Sequence, residues 1–305
     1  MRTTSFAPIR DAISTSYSRP LSLCQHKCAK NIDCAGKLCY YLLKGKGGDL
    51  MLFAVDIGNT EVHCAVFEGD NMRHSFRVGA DERRTSHEYA LTFSNMLSML
   101  GCKSDEIDGA IIGSVAPSVT DRIREAVVLF AKTEPLTVGP GIKTGFPIKL
   151  DDPSQLGADL AANAAAVISE GVSPAVIIDF GTATTVSLIG KGCEFLGCSI
   201  MPGVQMSLDA LNSTELLPGV WAENKVDLLG KNTVSAMLSG VIRGSAAAVH
   251  AAAESFAKKA GAKNAPLYVT GGFAPLMLPY MDEKCIHRPH LTLEGLAAIY
   301  RKNTK

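Results

Sequence analysis

The chain has 305 residues, 47% hydrophobic and 20% charged, and its 30 Lys and Arg balance its 30 Asp and Glu. That composition suits a globular protein of about two domains with a substantial core, and it argues against disorder. The zero net charge excludes attraction to nucleic acid or a membrane surface by bulk charge, and no run of about 18 apolar residues offers a membrane-spanning helix.

Residues 1–50 differ from the rest: they are rich in Ser, Arg and Lys, poor in acids, and without helical or strand periodicity. They read as a disordered extension or as sequence ahead of a natural beginning at Met51, with a transit peptide as the alternative. Nine cysteines, singly spaced after residue 50, read as reduced thiols of a cytoplasmic protein. Four of them, Cys24, Cys28, Cys34 and Cys39, crowd into the extension, but their irregular spacing without a CxxC pair argues against zinc.

From residue 51 the pattern sharpens. An apolar run over 51–55, the turn Asp56-Ile57-Gly58-Asn59-Thr60 and a second apolar run over 62–67 predict a β-hairpin. Thr85-Ser86-His87-Glu88 is a capping-box sequence opening a helix that extends to Leu100. A strand is expected over 110–115, a helix over 120–132 and a Gly/Pro-punctuated loop over 139–150. A helix from about Ser154 to Ser169 follows, on which Asp159 and Asn163, four apart, share one face. Strands are expected over 175–179 and 184–189 around Phe180-Gly181-Thr182-Ala183. Helix is then expected within 232–259, a strand over 267–270 broken by Gly271-Gly272, and a closing helix over 292–300.

A repeat organises these elements. Strand, Asp, any residue, Gly, amide or hydroxyl, strand occurs at Asp56-Ile57-Gly58-Asn59 and again at Asp179-Phe180-Gly181-Thr182. Two such units separated by helices predict an α/β protein of two related lobes facing a cleft, spanning 51–168 and 169–305. Each glycine turn exposes backbone N–H groups, and Asn59, Thr60, Thr182, Thr184 and Thr185 add side-chain donors for phosphate oxygens. The strand-end acids Asp56 and Asp179 can hold a cation against those oxygens. The pair of turns therefore points to a nucleotide's phosphates.

The motif series Asp56-Ile-Gly-Asn-Thr60, Gly157-Ala-Asp-Leu160, Asp179-Phe-Gly-Thr-Ala-Thr-Thr185, Gly197-Cys-Ser-Ile-Met-Pro-Gly203 and Leu217-Pro218 resembles that of the type III pantothenate kinases in order and spacing. The resemblance covers about residues 51–301. It implies the duplicated ribonuclease H-like, actin-like ATPase fold, with two lobes around a nucleotide cleft. It also implies ATP-dependent phosphorylation of pantothenate, the first step of coenzyme A synthesis, by a homodimer. The expected cofactors are magnesium, with ATP, and potassium or ammonium.

Residue by residue, the resemblance implies a first phosphate loop of Asp56, Ile57, Gly58, Asn59, Thr60, Glu61, Val62 and His63, with Asp56 near magnesium. Asp159 resembles the general base, Asp179 the monovalent-cation ligand and Thr182 an ATP contact. Gly157, Ala158, Asp159, Leu160 and Thr233 fall where the family binds pantothenate, and Gly271 and Gly272 where adenosine lies. Asp159 read on its own is also an ordinary first-turn acid favoured by the helix dipole.

The sequence departs from the family where Leu160 replaces an expected Arg, Cys198 a Gly and Ser187 an acid, and at Leu150 and Glu215. Losing a guanidinium near an anionic acceptor removes a charge-assisted hydrogen bond of about 1.5–3 kcal/mol. Two other readings therefore stay open: a kinase for another small hydroxy compound, and a nucleotide- or pantothenate-binding protein without turnover. His287 and His290 are expected in a surface loop, and Trp221 is expected to pack in a lid-like stretch after Pro218.

Overall fold

A computed structural model describes residues 50–304 except Asn224. The expectations for the extension and its cysteines lie outside the described residues.

The first sheet begins with β1 (Met51–Ile57), β2 (Glu61–Glu68) and β3 (Asn71–Gly79), an antiparallel meander. Then come α1 (Ser86–Met99), β4 (Gly109–Ser114), α2 (Pro117–Ala131) and β5 (Leu136–Thr137), with β4 and β5 parallel to β1. The strand order is β3-β2-β1-β4-β5. Thr85 and Glu88 close both bonds of the predicted capping box, fixing where α1 starts. A loop then leads to α3 (Ala158–Ser169). The helix expected from Ser154 is two pieces: Asp152 caps a short 3₁₀ turn, Pro153–Gln155, and the chain restarts as α-helix at Ala158, after Gly157.

The second sheet repeats the plan. β6 (Ala175–Phe180), β7 (Ala183–Ile189) and β8 (Phe195–Pro202) form a meander, followed by α4 (Val204–Asn212), α5 (Thr233–Leu238) and α6 (Gly244–Lys259). A π-helical turn, Ser239–Arg243, joins α5 to α6. β9 (Leu267–Thr270), α7 (Ala274–Met277), β10 (Ile286–His287) and α8 (Leu291–Thr304) complete the chain. The order β10-β9-β6-β7-β8, with β9 parallel to β6, is the first sheet's order over again. This is the duplicated ribonuclease H-like fold.

Three cores follow from strand alternation. Phe53, Val55, Val62 and Ile112 face α1 and α2, whereas Val176, Ile178 and Val186 face α4 to α7. The opposite faces of both sheets, carrying Leu52, Ala54, Ala65, Ile177 and Ile189, bury α3 and α8 between them. The closing helix, counted with the second lobe in sequence, packs on β1, β4 and α3. The alanines of α3 and Gly295 of α8 let these helices meet at backbone distance: a methyl on Gly295 would lie 1.8 Å from the Ala162 carbonyl oxygen.

Candidate active site

The two Asp-x-Gly turns occupy equivalent places. Asp56 stands at the end of β1 beside Gly113 of β4, and Asp179 at the end of β6 beside Thr270 of β9. The first turn closes through a Gly58 N–H···O=C Glu61 bond of 2.9 Å and the second through Gly181 N–H···O=C Ala183 at 3.1 Å. Asn59, Thr60 and Glu61 are exposed at the first tip, as is Thr182 at the second. Ile57 and Val62 instead send their side chains into the core, leaving only their backbone to the loop.

Helix α3 starts between these turns. Asp159, in its first turn, accepts a 2.8 Å bond from the Leu160 N–H. One turn on, Asn163 donates to Asp179 at 2.8 Å and accepts from Thr292 of α8 at 2.9 Å. This amide ties the two helices to the second Asp-x-Gly turn, a role that the sequence marked only by the four-residue spacing. A methyl on Gly157 would lie 2.6 Å from an Asp159 carboxylate oxygen, so that side chain would have to shift to admit it. Gly271, at φ +97°, is required: a methyl would meet Asp179 and the Phe180 backbone at 2.5 Å. Gly272 next to it is exposed, with open space where a side chain would be.

Asp56, Asp159 and Asp179 act on one another electrostatically. Burial, then the charges of Asp159 and Asp179, pushes Asp56 up to about 7, against the pull of Arg77. Burial pushes Asp179 up to about 6, with Asp159 adding to the rise and the Asn163 hydrogen bond and Arg77 opposing it. Burial raises Asp159 as well, opposed by its backbone hydrogen bonds. All three residues are half-buried. Crowded, half-buried acids of this kind favour a bound cation or a shared proton.

A pH dependence follows. Asp56 and Asp179 hold protons more tightly folded than at the ordinary 3.8, so stability without divalent ions falls as pH rises from about 4 to about 7. Urea midpoints should drop between pH 5 and pH 8, and Asp56→Asn should shrink that drop and raise the midpoint at pH 8. Equal drops in both proteins would contradict the assignment.

Leu160 is 8% exposed and packs in the central core, so position 160 points its side chain away from the face that Asp159 and Asn163 share. Burial and the Asp159 charge raise the Cys198 thiol, placing Cys198 near Asp159. Thr233 is exposed at the start of α5. His63 is buried, its ring centroid 5.5 Å from that of His290. His287 and His290 are therefore partly buried, not surface residues, because β10 and the start of α8 hold them at the second sheet's edge and against β2. Trp221 is 72% exposed instead of packed. A surface groove of about 550 Å³ lined by Ser173, Lys263 and Pro266 lies at the opposite ends of β6 and β9 and contains no acid. Among the described residues no helix is long and apolar enough to cross a membrane.

Paired glycine turns, converging acids and two sheets of one plan define a protein of the duplicated ribonuclease H-like class. The family model for type III pantothenate kinase matches residues 52–255. A type III pantothenate kinase of Geobacillus kaustophilus is 38% identical over 257 residues, covering 84% of this chain and 99% of the relative. One from Moorella thermoacetica is 37% identical, covering 83% and 100%. A solved structure described as a conserved Baf family transcriptional activator from Campylobacter jejuni shares the fold, with a TM-score of 0.52 at 19% identity over 82% of this chain and 98% of its own. The chain belongs to the type III pantothenate kinase family.

Proposed function

We propose that the chain transfers the γ-phosphoryl group of ATP to the primary hydroxyl of pantothenate, with Asp159 as general base. The observation that carries this reading is the convergence of Asp159 with Asp56 and Asp179, the acids of the two phosphate turns. Phosphoryl transfer depends on positioning and charge neutralisation more than on covalent help. The Gly58–Thr60 and Gly181–Thr182 turns bind and orient the phosphates, and the adenosine lies over the Gly271-Gly272 turn, where Gly272 leaves open space. Asp159 draws the acceptor hydroxyl toward the γ-phosphorus and takes its proton.

The donor set fits magnesium, which binds through one or two carboxylates, water and substrate phosphates. Asp56 would hold it, and Asp179, with one oxygen on Asn163 and one free, would hold potassium or ammonium. Bound there, the cations neutralise phosphate charge.

The protein works as a homodimer in the cytoplasm on this reading. Ile200 of β8, Met206 of α4, and Leu216, Trp221 and Leu228 before α5 are exposed apolar residues of the kind a second copy would cover.

Assay of the full chain with ATP, magnesium and potassium or ammonium should yield 4′-phosphopantothenate and ADP in equal amounts. Phosphorylation of other hydroxy compounds but not pantothenate would favour a different acceptor. ATP binding with no transfer to any acceptor would make the chain a binding protein.

A further inference from the structure

Strand register puts a cation beside the phosphate turns. Asp56 of β1 lies opposite His63 of β2, which lies opposite Arg77 of β3, so all three leave the sheet on one face. Leu52 and Ala54 on β1, and Ala65 and Phe67 on β2, share that face and are buried against α3 and α8, which fixes it as the side turned to Asp159 and Asp179. The Arg77 guanidinium bonds to Glu61 at 2.9 Å, just beyond the Gly58–Thr60 turn, and Ala80 N–H straps the end of β3 to the Thr60 carbonyl at 2.9 Å. With 42% of its side chain exposed, Arg77 is open to a ligand. Among the described residues it is the cation acting on both Asp56 and Asp179. His63, buried against His290, is a neutral wall behind it and not a second cation.

We propose that Arg77 contacts the terminal phosphates of ATP, exchanging its Glu61 partner for phosphate oxygens when the nucleotide enters. The proposal rests on the kinase reading above. An exposed Arg–Glu pair is worth little and is readily given up, whereas the guanidinium fork matches phosphate bidentately. Arg77 thus adds positive charge at the rim of an otherwise acidic site.

Titration calorimetry of the full chain with magnesium and either ATP or AMP tests this. Arg77→Gln should weaken ATP binding by about 10- to 100-fold while AMP binding changes by less than about 2-fold. Arg77→Lys, which keeps the charge but loses the fork, should lose about 3- to 10-fold for ATP with the same selectivity, and it carries the test if the Gln variant fails to fold. ATP binding at the wild-type level, or equal losses for ATP and AMP, would overturn the proposal. Pantothenate turnover by the wild-type preparation is scored separately. Its absence would overturn the kinase reading, whereas selective loss of ATP binding in Arg77→Gln would still support the phosphate contact.

Discussion

Asp159→Asn is expected to lower kcat by about 10²- to 10⁴-fold, the usual contribution of a positioned general base. Asn has nearly the same shape, and its side-chain oxygen can still accept the 2.8 Å bond from the Leu160 N–H. The start of α3 should therefore keep its conformation. Removing one of three crowded acids also relieves Asp56 and Asp179, both of which its charge pushes up. The variant should consequently be at least as stable as wild type and bind ATP with similar affinity, so that the loss falls on kcat. The pH profile gives an independent check. Because Asp159 must be ionised to accept a proton and its folded pKa is raised, wild-type activity falls on the acid side, starting above the ordinary carboxylate range. Steady-state kinetics from pH 5 to pH 8 measures both effects. A variant with more than about half of wild-type kcat would remove Asp159 from the chemistry.

Gly295→Ala should produce the largest loss of stability. The added methyl would stand 1.8 Å from the Ala162 carbonyl oxygen and 2.4 Å from its carbon, both backbone atoms inside a helix. No rotamer change relieves that overlap, so α3 and α8 must separate. Overpacking of this kind costs about 1–3 kcal/mol or more, visible as a lower urea midpoint. Activity should fall with it, because α3 carries Asp159 and Asn163 while α8 carries Thr292, and the Asn163–Thr292 bond crosses the interface being forced apart. Gly240→Ala, where a methyl meets nothing within 4 Å, is the control for a glycine whose role is not close packing. If the two variants unfold at the same urea concentration, the central helix pair is not what holds the lobes together.

The elements legible in the sequence are those whose signals are local. Both hairpins appeared because a buried apolar strand ends in Asp-x-Gly and a second apolar strand follows, and α1 because its capping box lies in four consecutive residues. β3 and β8 were not legible. β3 alternates polar residues such as Arg73, His74 and Arg77 at the sheet edge, and β8 is mostly half-buried with small or polar residues at its centre. α4 begins right after β8 with no spacing signal to mark it, and Gly203 is needed at the junction because a methyl would lie 2.1 Å from the Thr182 carbonyl oxygen.

At the site, the acids and glycines could be named because each sits in a short motif. The direction of the Leu160 side chain could not be read from the motif, since adjacent helical positions point about 100° apart and only one of them shares the Asp159 face. Arg77 and the packing of His290 on His63 were not legible for a different reason. Arg77 reaches the cleft through the register of a third strand, and His290 through a closing helix that crosses to the first sheet. Neither relation leaves a spacing in the chain.

The most direct test is a crystal structure of the full chain with pantothenate and a non-hydrolysable ATP analogue, reading the distance from the Asp159 carboxylate to the pantothenate primary hydroxyl. The expected value is about 2.6–3.2 Å, with the triphosphate lying between the turns that follow Asp56 and Asp179. Pantothenate bound with its hydroxyl beyond hydrogen-bond reach of Asp159, or a triphosphate outside the two turns, would contradict the account.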